Sequence, residues 1–281
     1  MIAGMRAMLM LCALVIVPAV RAQTRADSGA RRSGPTAPGV LKPKLPPTLK
    51  VPTTYAALFA ERDVRAVAAI GYVSCMQGTI DALRAGLLGA VPREWSIACV
   101  ARGTEWRGVF GELTDVAPGF AVRLQYATRA RSIARDPLDT AVAGGVARAL
   151  FRGLAASVPG GGAYEVVPIV LPQPTFIEVW YLPVPTSGRV VVGGDSLIQM
   201  SGDGARELGH AKNGAPLRTL STPNSATWMI ESGEERIPLL SELVAARRAL
   251  DVAAQVTVRT RQYDATASRS AGAVVWTHTR R

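Results

Sequence analysis

The chain of 281 residues carries a formal net charge of +11, from 32 Lys and Arg against 21 Asp and Glu, with 48% hydrophobic residues and only two histidines. That length and apolar content suffice for one large domain or two small ones and exclude a mainly disordered chain. Two histidines exclude most zinc catalysis, which draws two or three imidazoles into one site. The charge is unevenly placed: residues 1–22 carry +2 and residues 23–50 carry +5, which leaves +4 for residues 51–281. The field around the folded part is therefore weak, and no nucleic-acid partner is expected.

The first 22 residues have the three parts of a secretory signal: Arg6, an apolar run from Ala7 to Val17, and the small-residue pattern Val20-Arg21-Ala22. The apolar run is about half the length needed to cross a ~30 Å hydrocarbon core. Cleavage after Ala22, export to the periplasm or the exterior, and no transmembrane segment afterwards are the expectations. Residues 23–53 alternate prolines, glycines and basic residues, as in Lys42-Pro43-Lys44-Leu45-Pro46-Pro47. Missing amide donors and fixed φ angles favour an extended, semi-stiff linker. Its basic residues also suit an anionic surface or an envelope protein as partner.

In an oxidising compartment the two remaining cysteines, Cys75 and Cys99, predict a disulfide, with two buried thiols as the alternative. Residues 54–281 read as a single α+β domain, with a possible subdomain boundary near 157–163. Thr54 caps a helical stretch that runs toward Leu87, and Gly71, Gly78 and Gly86 make two shorter helices as reasonable as one. Trp95 to Ala101, Trp106 to Leu113 and Phe120 to Thr128 alternate with period two and predict antiparallel strands. A helix from Pro137 to Ala156 follows, then strands at Tyr164 to Leu171, Thr175 to Leu182, Arg189 to Val192, Ser196 to Met200 and Ala205 to His210. Ser201-Gly202-Asp203-Gly204 is a hairpin turn by composition. Thr227 to Glu231 predicts a strand, Pro238 to Leu250 an amphipathic helix, and Gln255 to Tyr263 with Ala273 to Thr279 a closing hairpin. Segregated helices and meandering strands argue for antiparallel sheets packed with three or four helices.

Most polar clusters have a plain structural reading. Arg123, Arg129, Arg131 and Arg135 fit a solvated basic face, and the five tryptophans all fall on predicted strands, where sheet packing explains them. Glu105, Glu112, Asp115 and Glu178 lie on or beside strands.

The sharpest local pattern is the strand Arg189 to Val192 followed by Gly193-Gly194-Asp195-Ser196-Leu197. It resembles the nucleophile block of the GDSL, or SGNH, esterase and lipase family. The resemblance implies Ser196 as nucleophile at the carboxyl end of a strand, beside oxyanion donors, with His210 or His278 as base. The family opens its domain with this block and takes its base from a late Asp-x-x-His. Here the block lies late in the chain, Val275 stands three before His278, and Glu207 stands three before His210. The segment from Trp180 to Ser201-Gly202-Asp203-Gly204 is also similar to stretches of uncharacterised exported bacterial proteins, which implies a structural turn at Asp195 and no activity.

The preferred reading of the sequence is an exported, non-enzymatic accessory or binding module of the bacterial envelope, with no catalytic, cofactor or metal residues assigned. An ester hydrolase using Ser196, and anionic-surface binding through residues 23–50, are the alternatives.

Overall fold

The computed structural model describes residues 54–85, 95–103, 105–112, 121–126, 137–155, 164–172, 175–185, 188–212, 215–223 and 226–281. The signal segment, the 23–53 linker and the 157–163 boundary lie outside the described residues. Within them are three helices and thirteen strands, a mixed α and β architecture in which strands dominate.

Helix α1 runs unbroken over Tyr55–Arg84. The Ala57 amide donates to Thr54 Oγ1 at 3.3 Å, so Thr54 starts the helix as expected. Tyr55, Phe59, Ala66, Ala69, Tyr72, Cys75, Thr79 and Ala82 form one buried stripe at helical spacing. Gly71 does not break the helix. It admits Trp106, since a Cβ there would lie 2.3 Å from the indole Nε1. The glycine's propensity cost is exchanged for close packing of α1 against a strand.

Strands β1 (Trp95–Arg102), β2 (Glu105–Glu112) and β3 (Ala121–Tyr126) form an antiparallel meander. Cys99 of β1 is bonded to Cys75 of α1, which joins the helix covalently to this sheet. Ala98 and Val100, on the opposite face of β1, pack in one cluster with Ala143, Val146, Ala147 and Ala149 of helix α2 (Pro137–Ala155).

The central sheet holds β4 (Tyr164–Pro172), β5 (Thr175–Pro183), β7 (Ser196–Ser201) and β8 (Glu207–Lys212), all antiparallel and in that order. Ile177, Val179 and Tyr181 of β5 belong to the α2 cluster, whereas Trp180 and Leu182 join the core under α1 and helix α3 (Leu240–Ala249). Period-two alternation places the two sets on opposite faces, and both faces are covered, so β5 is buried from Phe176 to Leu182. The Ser201–Gly204 turn forms as the sequence indicates, with Gly204 at φ +67° donating to Ser201 O at 2.7 Å.

Three features depart from the sequence expectation. Strand β6 (Arg189–Val192) pairs with β9 (Arg218–Ser221), a strand too short to show a period. Strand β10 (Thr227–Glu231) runs parallel to β11 (Gln255–Arg259), with α3 as the crossover between them, so the sheets are not wholly antiparallel. The closing unit is three strands, because β11 ends at Arg259 and β12 (Tyr263–Ser270) then pairs with β13 (Ala273–Arg280). The β12–β13 reversal uses Ala271 at φ 49° and Gly272 at φ 81°, a type I′ geometry that Ala-Gly does not advertise. Among the described residues no helix is long and apolar enough to cross a membrane.

The disulfide closes a loop of 24 residues in sequence separation. Chain-entropy arguments assign such a closure about 3.5 kcal/mol. The Cys75→Ala, Cys99→Ala double variant is therefore expected to unfold at markedly lower urea than the oxidised protein, and reductant should have no effect on the variant.

Candidate binding site

Helix α3 begins in the interior. Leu239, Leu240, Ser241 and Glu242 are all nearly inaccessible, so its first amides need protein acceptors. Glu242 Oε2 takes the Leu239 amide at 2.9 Å, and Asp195 Oδ2 takes the Ser241 amide at 2.9 Å. Ser241 Oγ accepts the Gly193 amide at 3.0 Å, and the Gly194 amide reaches Ala215 O at 2.9 Å. The Gly193-Gly194-Asp195 turn between β6 and β7 is thus clamped to the helix N-terminus. Gly193 has φ +89° and stands so close to Pro216 that a Cβ would lie 2.2 Å from its carbonyl oxygen, which leaves glycine as the residue that fits.

The clamp occupies the serine block. Ser196 is 7% exposed and opens strand β7, with its backbone between Tyr181 and Lys212. His210 pairs with Ile198, points to solvent and places Nδ1 3.2 Å from Glu207 Oε1. His278 belongs to a different sheet, where Nδ1 lies 3.1 Å from the Tyr55 hydroxyl and the ring meets Phe59 edge-on. Burial lowers the His278 pKa against the opposing charge of Asp63. Among the described residues no hydrogen bond joins Ser196 to either histidine, and Asp195 turns Oδ2 to the helix amide while its buried Oδ1 has no partner.

Two recesses flank the clamp. A groove of about 350 Å³ lies between α3, strands β4, β5 and β6 and the Thr222-Pro223 segment that follows β9. Leu182, Val190, Val191, Val244, Ala245, Ala249 and Val252 supply its apolar wall, and Glu165, Arg189 and Arg248 supply its charged groups. Arg248 Nη2 stands 3.9 Å from Glu165 Oε2, a loose pair, and Arg189 has no ion pair or hydrogen bond among the described side chains. Burial raises the Glu165 pKa, with Arg248 opposing.

A smaller pocket of about 210 Å³ opens between α1 and β5. Here Arg65 donates from Nε and Nη2 to Glu178 at 2.6 and 2.9 Å, and from Nη1 to Glu61 Oε1 at 2.8 Å. Trp180 Nε1 also donates to Glu178 Oε2 at 2.9 Å. Arg62 lies over the Trp180 ring, 5.5 Å from its centroid.

Among the described residues no group of three or more His, Cys, Asp or Glu side chains is placed to hold a metal ion. Comparison with protein-family models, curated proteins and solved structures finds no match. Glu178 and Trp180 stand out in the sequence, whereas Arg62 of the smaller pocket and Glu165, Arg189 and Arg248 of the α3 groove do not, since separate elements bring them to their recesses. The period-two pattern that puts Glu178 and Trp180 on one face of β5 was the available signal. Side chains of the Arg123–Arg135 cluster, Glu112 and Asp115 lie outside the described residues, and Glu105 pairs locally with Arg107 at 3.0 Å.

Burial raises the Asp195 pKa, opposed by hydrogen bonds from Ser241 and the charge of Arg62. A carboxyl whose pKa rises on folding binds its proton more tightly in the folded state, so its ionisation costs stability at neutral pH. That cost disappears as pH falls through the folded value toward the unfolded one near ~3.9. Relative to Asp195→Asn, the wild type is expected to gain unfolding free energy between about pH 7 and about pH 4. Urea titrations of both proteins across that range check it, and a constant difference would contradict it.

Proposed function

We propose that the protein is an exported, non-enzymatic binding module whose α3 groove takes a small amphipathic ligand with an apolar body and an anionic head. The carrying observation is the groove itself: an apolar recess of about 350 Å³ with Arg189 and Arg248 on its rim. Cavities of that size with few polar groups suit compact organic ligands. Arg189 has unused donors and Arg248 only a loose partner, so an oxyanion gains charge-assisted hydrogen bonds there with little to displace. The apolar run before Ala22 supports export, and the Cys75–Cys99 bond suits an oxidising compartment. An ester hydrolase using Ser196 is the weaker reading, since a nucleophile needs a base within reach.

Two experiments test the proposal. Anilinonaphthalene sulfonate, an apolar double ring with a sulfonate, is expected to bind the folded protein saturably and to be displaced by decanoate. Val191→Trp fills the groove from a half-exposed strand position and should abolish binding without lowering the melting temperature, whereas Arg248→Ala should weaken it about tenfold, or ~1.4 kcal/mol. Undiminished binding in Val191→Trp would reject the groove. A fluorophosphonate probe is expected to leave Ser196 unlabelled, and labelling lost in Ser196→Ala would establish the hydrolase instead.

A further inference from the structure

Arg62 is a half-buried guanidinium whose donors are idle. It makes no hydrogen bond and no ion pair within 4.0 Å among the described residues, although Arg65, one turn along on the same helix, uses all of its edges. Its N–H groups are not sealed in, since none of its nitrogens is among the fully buried unpartnered atoms, and it lines the 210 Å³ pocket. An arginine lying near an indole face without a bound partner keeps its planar fork available, and that fork matches a carboxylate.

The other charges decide what else the ligand carries. Glu178 is saturated by Arg65 and Trp180. Glu61 has spent Oε1 on Arg65 and is still 44% exposed, which leaves Oε2 to accept from a ligand. The four charged lining groups, Glu61, Arg62, Arg65 and Glu178, sum to zero, and buried Asp195 lies within electrostatic reach of Arg62. A bare anion would meet two carboxylates besides its arginine, whereas a ligand with its own ammonium group leaves the pocket balanced. Leu58, Leu197 and Ile237 add an apolar wall. The volume lies below the ~300 Å³ at which pockets for drug-sized ligands begin, so the ligand is small.

We infer that this pocket binds a zwitterion of amino-acid size, with its carboxylate on Arg62, its ammonium group on Glu61 and its apolar side chain against Leu58, Leu197 and Ile237. Arg62 also acts as a counter-charge to Asp195 through the field.

Calorimetric titration of the purified, disulfide-intact protein with leucine, 4-methylpentanoate and isopentylamine tests the assignment. Leucine is expected to bind at one site, 4-methylpentanoate about tenfold more weakly, and isopentylamine not detectably. Arg62→Lys keeps the charge but loses the fork and should weaken leucine about tenfold. Glu61→Gln, at an exposed position, should bring leucine down to the affinity of 4-methylpentanoate. No leucine binding, equal affinity for leucine and 4-methylpentanoate, or leucine affinity unchanged in Arg62→Lys each overturns the inference. Leucine binding retained in Val191→Trp separates this pocket from the α3 groove, so either can fail without the other.

Discussion

The first turn of α3 is the constraint from which the other features follow. A helix that starts inside a protein brings unpaired amides with it, and leaving them unsatisfied costs ~1–3 kcal/mol each. Asp195 and Glu242 answer that need, and each brings a carboxylate into a place from which water is excluded. Burial raises the pKa of both. Arginines then gather around them: Arg218 pairs directly with Glu242, and Arg62 acts on Asp195 through the field alone. Asp195 Oδ1, buried without a partner, marks where that compensation is incomplete. One helix start thus positions the Gly193-Gly194-Asp195 turn, forms one wall of the apolar groove and accounts for an arginine held near the pocket.

The central sheet explains why the two recesses described above share one of its faces. The α2 cluster fills one face of β5, while the opposite face carries Glu178 and Trp180 among apolar neighbours. A buried carboxylate on that face needs a cation, and Arg65 of α1 supplies one through two hydrogen bonds. Losing one partner of such a pair typically costs ~3–5 kcal/mol, so α1 and β5 are held in a fixed relation. The disulfide ties the same helix to β1, and Arg247 of α3 binds Asp63 of α1 with two hydrogen bonds at 2.6 Å. Helix α1 is therefore anchored at separate points along its length, and the recess between α1 and β5 has stiff walls. Preformed walls lower the ordering cost of binding, which favours small ligands with few contacts.

The Gly-Asp-Ser-Leu block shows how the same residues support two chemistries until the strands are placed. As a nucleophile block it needs a base and an oxyanion site at Ser196. In the fold, Asp195 faces a helix amide, Gly193 donates to Ser241, and Ser196 enters a sheet between two antiparallel neighbours. His210 and His278 have their own partners, Glu207 and Tyr55. The glycines serve the backbone geometry of a clamp.

Local rules carried much of the architecture. Helical spacing from Thr54, period-two runs through β1 and β2, the strands β4 and β5, the Asp-Gly turn and the cysteine pair were all legible, because each depends on residues near one another in sequence or on the parity of cysteines. The parallel pairing of β10 with β11, the short β6–β9 ribbon and the Ala271-Gly272 reversal were not, since pairing partners and left-handed backbone at alanine are set by what packs around them. The pocket was legible only in part: alternation put Glu178 and Trp180 on one face of β5, but Arg62 and Arg65 arrive on α1, with Arg65 lying 113 residues before Glu178 in the chain. Sequence alone indicated most of the kinds of element and the cysteine pair that bonds two of them. Tertiary structure decided which charges meet in the interior, because the cost of burying a charge depends on every neighbour that the fold brings to it.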